Sequence, residues 1–150
     1  MLKRALILLS LFVILNPIFA EKFHIRSKKL KIQNDKAIYI GNVIATTKNG
    51  KSLKCDKLIL FLNKTGEIKK IKAIGHVLFQ GKELKAAGNI AIYNPIKKEI
   101  ILEGNALVVK NNTIVKGEKI IYNLLTGVID VKSHERINSV INIDKPNNGK

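Results

Sequence analysis

Ile100-Ile101-Leu102-Glu103-Gly104-Asn105-Ala106-Leu107-Val108-Val109 is the stretch that decides the fold. Apolar residues run up to a central Gly-Asn pair and continue beyond it. The design recurs at Ile38-Tyr39-Ile40-Gly41-Asn42-Val43-Ile44-Ala45 and at Ala73-Ile74-Gly75-His76-Val77-Leu78-Phe79. The central glycines are 75 − 41 = 34 and 104 − 75 = 29 residues apart. Such spacing marks a repeat architecture, in which each unit buries its apolar face against its neighbours.

A second strand follows each copy. The segments 55–61, 87–93 and 116–122 close on Phe61, Tyr93 and Tyr122, and an Asn-bearing turn follows each, directly or one residue later. Asn and Gly supply the backbone conformations that turns require. Asn49-Gly50 is the strongest short hairpin signal in the chain. No segment of ten or more residues carries a helical period. The chain therefore reads as all-β, with short antiparallel strands at short intervals.

Side chains in a strand alternate between faces. Counting by two from each glycine gives Tyr39, Val43 and Ala45, then Ile71, Ala73, Val77 and Phe79, then Ile100, Leu102, Ala106 and Val108. Every one is apolar. The opposite set mixes Asn42, His76, Glu103 and Asn105 with Ile40, Ile44, Leu78 and Leu107. One face is dry and the other partly wet. A glycine at the centre of each strand permits a bend or a close backbone approach.

The 150 residues carry a formal charge of +16. A basic balance suits anionic surfaces, and the joint richness in Lys, Ile and Asn also fits an A- and T-rich coding bias. Lys3 and Arg4, an apolar run from Ala5 to Phe19, and Ala20 before Glu21 make the layout of a secretory signal peptide over 1–20. A β domain over 21–138 and a disordered tail over 139–150 follow. Export and scarce aromatics argue against nucleic acid as partner. Cys55 stands alone, so no intramolecular disulfide forms, and it reads as a small buried strand residue. His24, His76 and His134 are far apart, and no carboxylate pair is fixed by a motif. The expectation is a binding or structural protein, not an enzyme, with no metal and no cofactor.

Six motifs occur in order. They are Gly41-Asn42-Val43, Cys55-Asp56-Lys57-Leu58, Ile71-Lys72-Ala73-Ile74-Gly75-His76-Val77, Leu102-Glu103-Gly104-Asn105-Ala106, the run from Ile114 to Tyr122, and Leu125-Thr126-Gly127-Val128. Together, from about Phe23 to about Ser133, they resemble the OstA-like family of periplasmic lipopolysaccharide-transport proteins. The resemblance implies an antiparallel β-jellyroll, V-shaped in section, with a hydrophobic groove open at both ends. It implies a periplasmic carrier that shields lipid A acyl chains and bridges an inner-membrane lipopolysaccharide exporter and an outer-membrane translocon. Copies would stack head to tail through edge strands. Phe23 and Ile25 match family positions near the groove's entrance. Tyr39, Val43, Val77, Phe79, Leu102, Ala106 and Val108 are the further candidates for lipid contact, and Phe61, Tyr93 and Tyr122 join them as strand-closing aromatics. Arg26 and Lys82 are candidates to meet lipid phosphates at the rim. Two alternatives stand beside this reading. One is a membrane-anchored partner of the same pathway that keeps its N-terminal helix. The other is a self-assembling structural module of the envelope that binds no lipid.

Overall fold

The computed structural model describes residues 22–141. The described residues form ten strands and no helix: β1 (Phe23–Arg26), β2 (Lys29–Gln33), β3 (Lys36–Thr47), β4 (Ser52–Leu62), β5 (Ile68–Gln80), β6 (Leu84–Asn94), β7 (Glu99–Lys110), β8 (Thr113–Asn123), β9 (Ile129–Lys132) and β10 (Asn138–Ile141). Every pairing is antiparallel, and β3 to β8 run as an unbroken meander. The sheet does not close on itself. At one edge β1 pairs with the second half of β3 and β2 with its first half. At the other edge β10 pairs with the first half of β8 and β9 with its second half.

The Gly-Asn and Gly-His pairs explain why both edges are split. Gly41 and Asn42 have φ of 88° and 44°, Gly75 and His76 of 81° and 46°, and Gly104 and Asn105 of 75° and 46°. Two successive left-handed residues suit Gly and Asn, which adopt that region at least cost. Each pair adds one residue to its strand. Register shifts fall between Ile40 and Val43, Ile74 and Val77, and Glu103 and Ala106. These bulges line up across the meander, and a bulge bends its strand and sharpens the local twist. The result is a corner that divides every long strand into two halves.

One contact shows how far the sheet folds over. Lys110 pairs with Thr113, and Tyr122 lies nine residues further along β8 (122 − 113 = 9). A straight strand would separate them by roughly 30 Å. The Lys110 Nζ nevertheless lies 3.0 Å from the Tyr122 hydroxyl oxygen. The two halves are therefore facing layers, joined along the corner, in an antiparallel β-jellyroll.

Between the layers lie two apolar clusters. Val43, Cys55, Leu58, Ala73 and Val77 form the first, and Ala86, Leu102, Ala106, Val108 and Ile120 the second. Ala91 packs against both and joins them. Leu58 and Ile120 are 1% and 0% exposed, so the layers touch at the base of the fold. Burying such a side chain contributes about 1.5–3 kcal/mol. No polar or charged residue among those described is buried, so the interior carries no desolvation cost of that kind.

Two expectations meet a different outcome. Phe61 is not an inward strand-closing aromatic. It pairs with Lys36 and Lys70 on the outer face. The postulated disordered tail begins inside β10, whose Ser139, Val140 and Ile141 pair with β8. The postulated signal peptide over 1–20 and the remainder of the tail, 142–150, lie outside the described residues.

Candidate apolar groove

Cross-strand neighbours in an antiparallel sheet share a face. The register therefore traces continuous inward rows, parallel to the corner. In one layer the row beside the corner is Tyr39, Leu58, Ala73, Ala91, Leu102, Ile120 and Val131. The next row out is Leu60, Ile71, Tyr93, Ile100, Tyr122 and Ile129. In the facing layer, Ile25, Ala45, Leu53, Phe79, Ala86, Val108 and Val115 form the outer row. Rows beside the corner are largely closed to solvent. Leu53, Leu60, Ile71, Phe79 and Ile100, one step further out, are half-buried. An apolar groove thus deepens from an accessible rim to a closed base and runs from one sheet edge to the other.

Eleven of the twelve candidate residues fall on this inward face. Val43 and Val77 belong to the first cluster, with Ile25 and Tyr39 packed against it. Leu102, Ala106 and Val108 belong to the second, with Phe79 packed against it. Tyr93 and Tyr122 share the outer row with Ile100. Phe23 lies two residues before Ile25 on β1, at the open edge, and is 53% exposed. Phe61 alone faces outward, with the Lys36 and Lys70 ammoniums 5.4 and 4.4 Å from its ring centre. Leu60 takes the inward position in its place. The signal was present: Asn94 and Asn123 directly follow their aromatics, whereas Asn63 lies two residues after Phe61.

The rim carries one polar feature that the motifs do not reveal. Lys110 continues the inward row of β7 past Val108, and its Nζ donates to the Tyr122 hydroxyl across the mouth of the groove. The same ammonium lies 5.3 Å from the Tyr122 ring centre. Arg26 is in register with Ile44, on the outer face, and Lys82 sits exposed in the turn before β6. Arg26 therefore does not reach the groove's mouth, and Lys82 is a solvated lysine of the turn.

Polar groups elsewhere gather on the outside of the corner. His76 Nδ1 lies 2.8 Å from the Asp56 carboxylate, and His134 Nδ1 lies 2.6 Å from that of Glu118. The hydrogen bond to the carboxylate, and then its charge, raise each histidine above its ordinary value. Burial, and to a lesser degree the Asp56 charge, push the Cys55 thiol up to about 11. No group of three or more His, Cys, Asp or Glu among the described residues is placed to hold a metal ion. The chemistry of the inward face is apolar contact.

The family model for the LptA/(LptD N-terminal domain) LPS transport protein matches residues 24–128. The chain belongs to this family. Its place is accordingly in lipopolysaccharide transport. The LptA-type match covers the stretch in which all six motifs lie, and it spans the corner and both layers. Sequence comparison with curated proteins finds no match. Among solved structures, the fold is similar to that of LptH from Pseudomonas aeruginosa, the LptA homologous periplasmic component of the lipopolysaccharide transport device. That superposition has a TM-score of 0.70 at 19% identity, over 82% of this chain and 96% of the other. LptA-type architecture thus accounts for the bent, unclosed sheet and the apolar face it encloses.

Proposed function

We propose that the protein is a periplasmic carrier that holds the acyl chains of lipid A between its two layers. It would receive lipopolysaccharide from an inner-membrane exporter and pass it towards an outer-membrane translocon. The observation that carries this reading is the apolar inward face, half-buried at Leu53, Leu60, Ile71, Phe79 and Ile100 along its outer rows, in a member of a lipopolysaccharide-transport family. Acyl chains laid along the half-buried outer rows would gain about 0.8 kcal/mol for each CH₂ removed from water. Because the base is already closed, the chains enter from the rim and part the layers there. Export through a cleaved signal peptide over 1–20 completes the proposal.

The split edges support head-to-tail stacking. Among the described residues, β1 with β2, and β9 with β10, each leave a row of backbone groups without a strand beside it. Such an edge accepts another chain's strand by continuing the ladder. A second copy joined edge to edge would extend the groove from one molecule into the next. This arrangement needs no cofactor, since the exporter supplies the energy.

Lipopolysaccharide binding by the protein at low and at high salt tests the reading. Saturable binding that survives high salt is expected, because apolar capture is not screened. Binding that disappears with salt would reduce the interaction to a basic protein meeting an anionic lipid. An absence of binding at both would favour the structural envelope module, whose interior has only to pack.

A further inference from the structure

We propose that Lys110 and Tyr122 form an anion site at the groove's mouth, which binds a phosphate group of the lipid whose chains lie between the layers. This inference rests on the carrier reading above and adds to it a headgroup contact.

The argument begins with position. Lys110 is the last residue of β7 and stands in the inward phase set by Leu102, Ala106 and Val108. The register places it beside Thr113 of β8 on one side and Leu84 of β6 on the other, and Leu84 packs against the second apolar cluster. An ammonium therefore sits where the apolar face gives way to solvent. Its stem lies along the groove wall, as amphipathic lysines do at an apolar boundary.

Donor geometry comes next. Nζ donates to the Tyr122 hydroxyl oxygen at 3.0 Å, from the opposite layer. A lysine ammonium has three N–H groups, so two remain to donate elsewhere. With its oxygen occupied by the ammonium, the phenol directs its own O–H away from Nζ. The pair thus presents ammonium and hydroxyl donors to one point above the mouth. Lys110 and Tyr122 are partly and almost fully removed from solvent, which holds both donors in place and weakens water's competition for the anion. A phosphate monoester, which has several acceptor oxygens and at least one negative charge, suits that cluster.

The chemistry also agrees with the charge of the described surface. Arg26 is in register with Ile44 on the outer face, whereas the Lys110 Nζ reaches the Tyr122 hydroxyl across the mouth. A phosphate bound there would accept from the remaining ammonium N–H groups and from the phenol O–H, with the Lys110–Tyr122 hydrogen bond kept.

The test compares bisphosphorylated lipid A with the same lipid stripped of its phosphates. Both are bound to the protein and to Lys110→Gln, Lys110→Arg and Tyr122→Phe variants, with thermal midpoints recorded to confirm folding. Lys110→Gln is expected to weaken binding of the phosphorylated lipid on the order of tenfold and to leave the stripped lipid unchanged. Lys110→Arg should keep most of the affinity, and Tyr122→Phe should lose part of it for the phosphorylated lipid only. Equal losses for both lipids, or no loss for either, would overturn the anion site while leaving the carrier reading intact. Failure of the unsubstituted protein to bind either lipid would remove the carrier reading and this inference with it. Displacement of phosphorylated lipid A by inorganic phosphate alone would assign the pair to free phosphate and overturn the lipid assignment.

Discussion

The Asp56 carboxylate packs against Gly75 in the space that a Cβ on Gly75 would need. The pattern repeats along the corner, where the Asn89 side chain covers Gly104 and the Lys28 stem covers Gly41. Each glycine also has a left-handed φ. Two constraints therefore converge on one residue type, and both come from the bend that separates the layers. Gly75→Ala is expected to lower stability by about 1–3 kcal/mol, measured from the urea midpoint. Gly50 has the same φ of 81° but nothing around it within 4 Å. Gly50→Ala should cost about 1 kcal/mol, from the backbone alone. Equal costs at the two positions would remove the packing argument.

The histidine at the corner should titrate above its ordinary value because of the carboxylate beside it. The hydrogen bond that His76 donates to the Asp56 carboxylate, and then the carboxylate's charge, hold His76 above its ordinary value of ~6.5. A group whose folded value is raised contributes stability that is complete below the unfolded value. That stability is lost as pH rises through the folded value. The parent should therefore exceed Asp56→Asn in thermal midpoint by more at about pH 5.5 than at about pH 8. In NMR titrations His76 should move down towards its ordinary value in Asp56→Asn, and an unchanged midpoint would break the pairing.

Cys55 is 4% exposed, and its thiol is pushed up to about 11. Thiolate is the reactive form, so almost none exists at neutral pH. Iodoacetamide should modify Cys55 only through unfolding, with a rate that rises as urea approaches the transition. Labelling of the folded protein at the rate of a free thiol would mean that the first cluster is open to solvent.

Phe79 and Phe61 lie on opposite faces of the sheet. Phe79 is half-buried on the inward outer row, so Phe79→Asp places a carboxylate where acyl chains would lie without removing the base of the core. It is expected to abolish lipopolysaccharide binding while the protein stays folded. Phe61→Asp lies on the outer face between two lysines and should leave binding unchanged. The opposite result from a binding titration would place the lipid outside the layers.

Ile120 has no exposure and lies at the base where the layers meet. Ile120→Ala should cost about 2–5 kcal/mol, from lost transfer and the cavity left behind. A urea titration that returns less than 1 kcal/mol would show that the layers close over the gap.

Strand content and the inward set of β3, β5 and β7 were legible in the sequence. Gly-Asn and Gly-His mark the bend locally, and on these strands the inward residues on either side are four apart: Tyr39 and Val43, Ala73 and Val77, Leu102 and Ala106. Four preserves the alternation, so counting by two crosses the corner without error. The candidate groove was legible to the same extent. Lys110 was not, because nothing near it in sequence marks a lysine that reaches another layer.

The partner strands β4, β6 and β8 behave differently. Their inward residues across the corner are three apart: Cys55 and Leu58, Gly88 and Ala91, Gly117 and Ile120. The alternation changes phase there without any inserted residue. Counting on from Cys55 therefore points Phe61 inward, whereas the folded chain points Leu60 inward. An all-β repeat with a bend at each Gly-Asn or Gly-His follows from the residues themselves, since those backbone preferences are local. Tertiary structure alone decided the phase of the strands between, because the extra residue that bends a strand belongs to its neighbour, and only pairing transmits the bend.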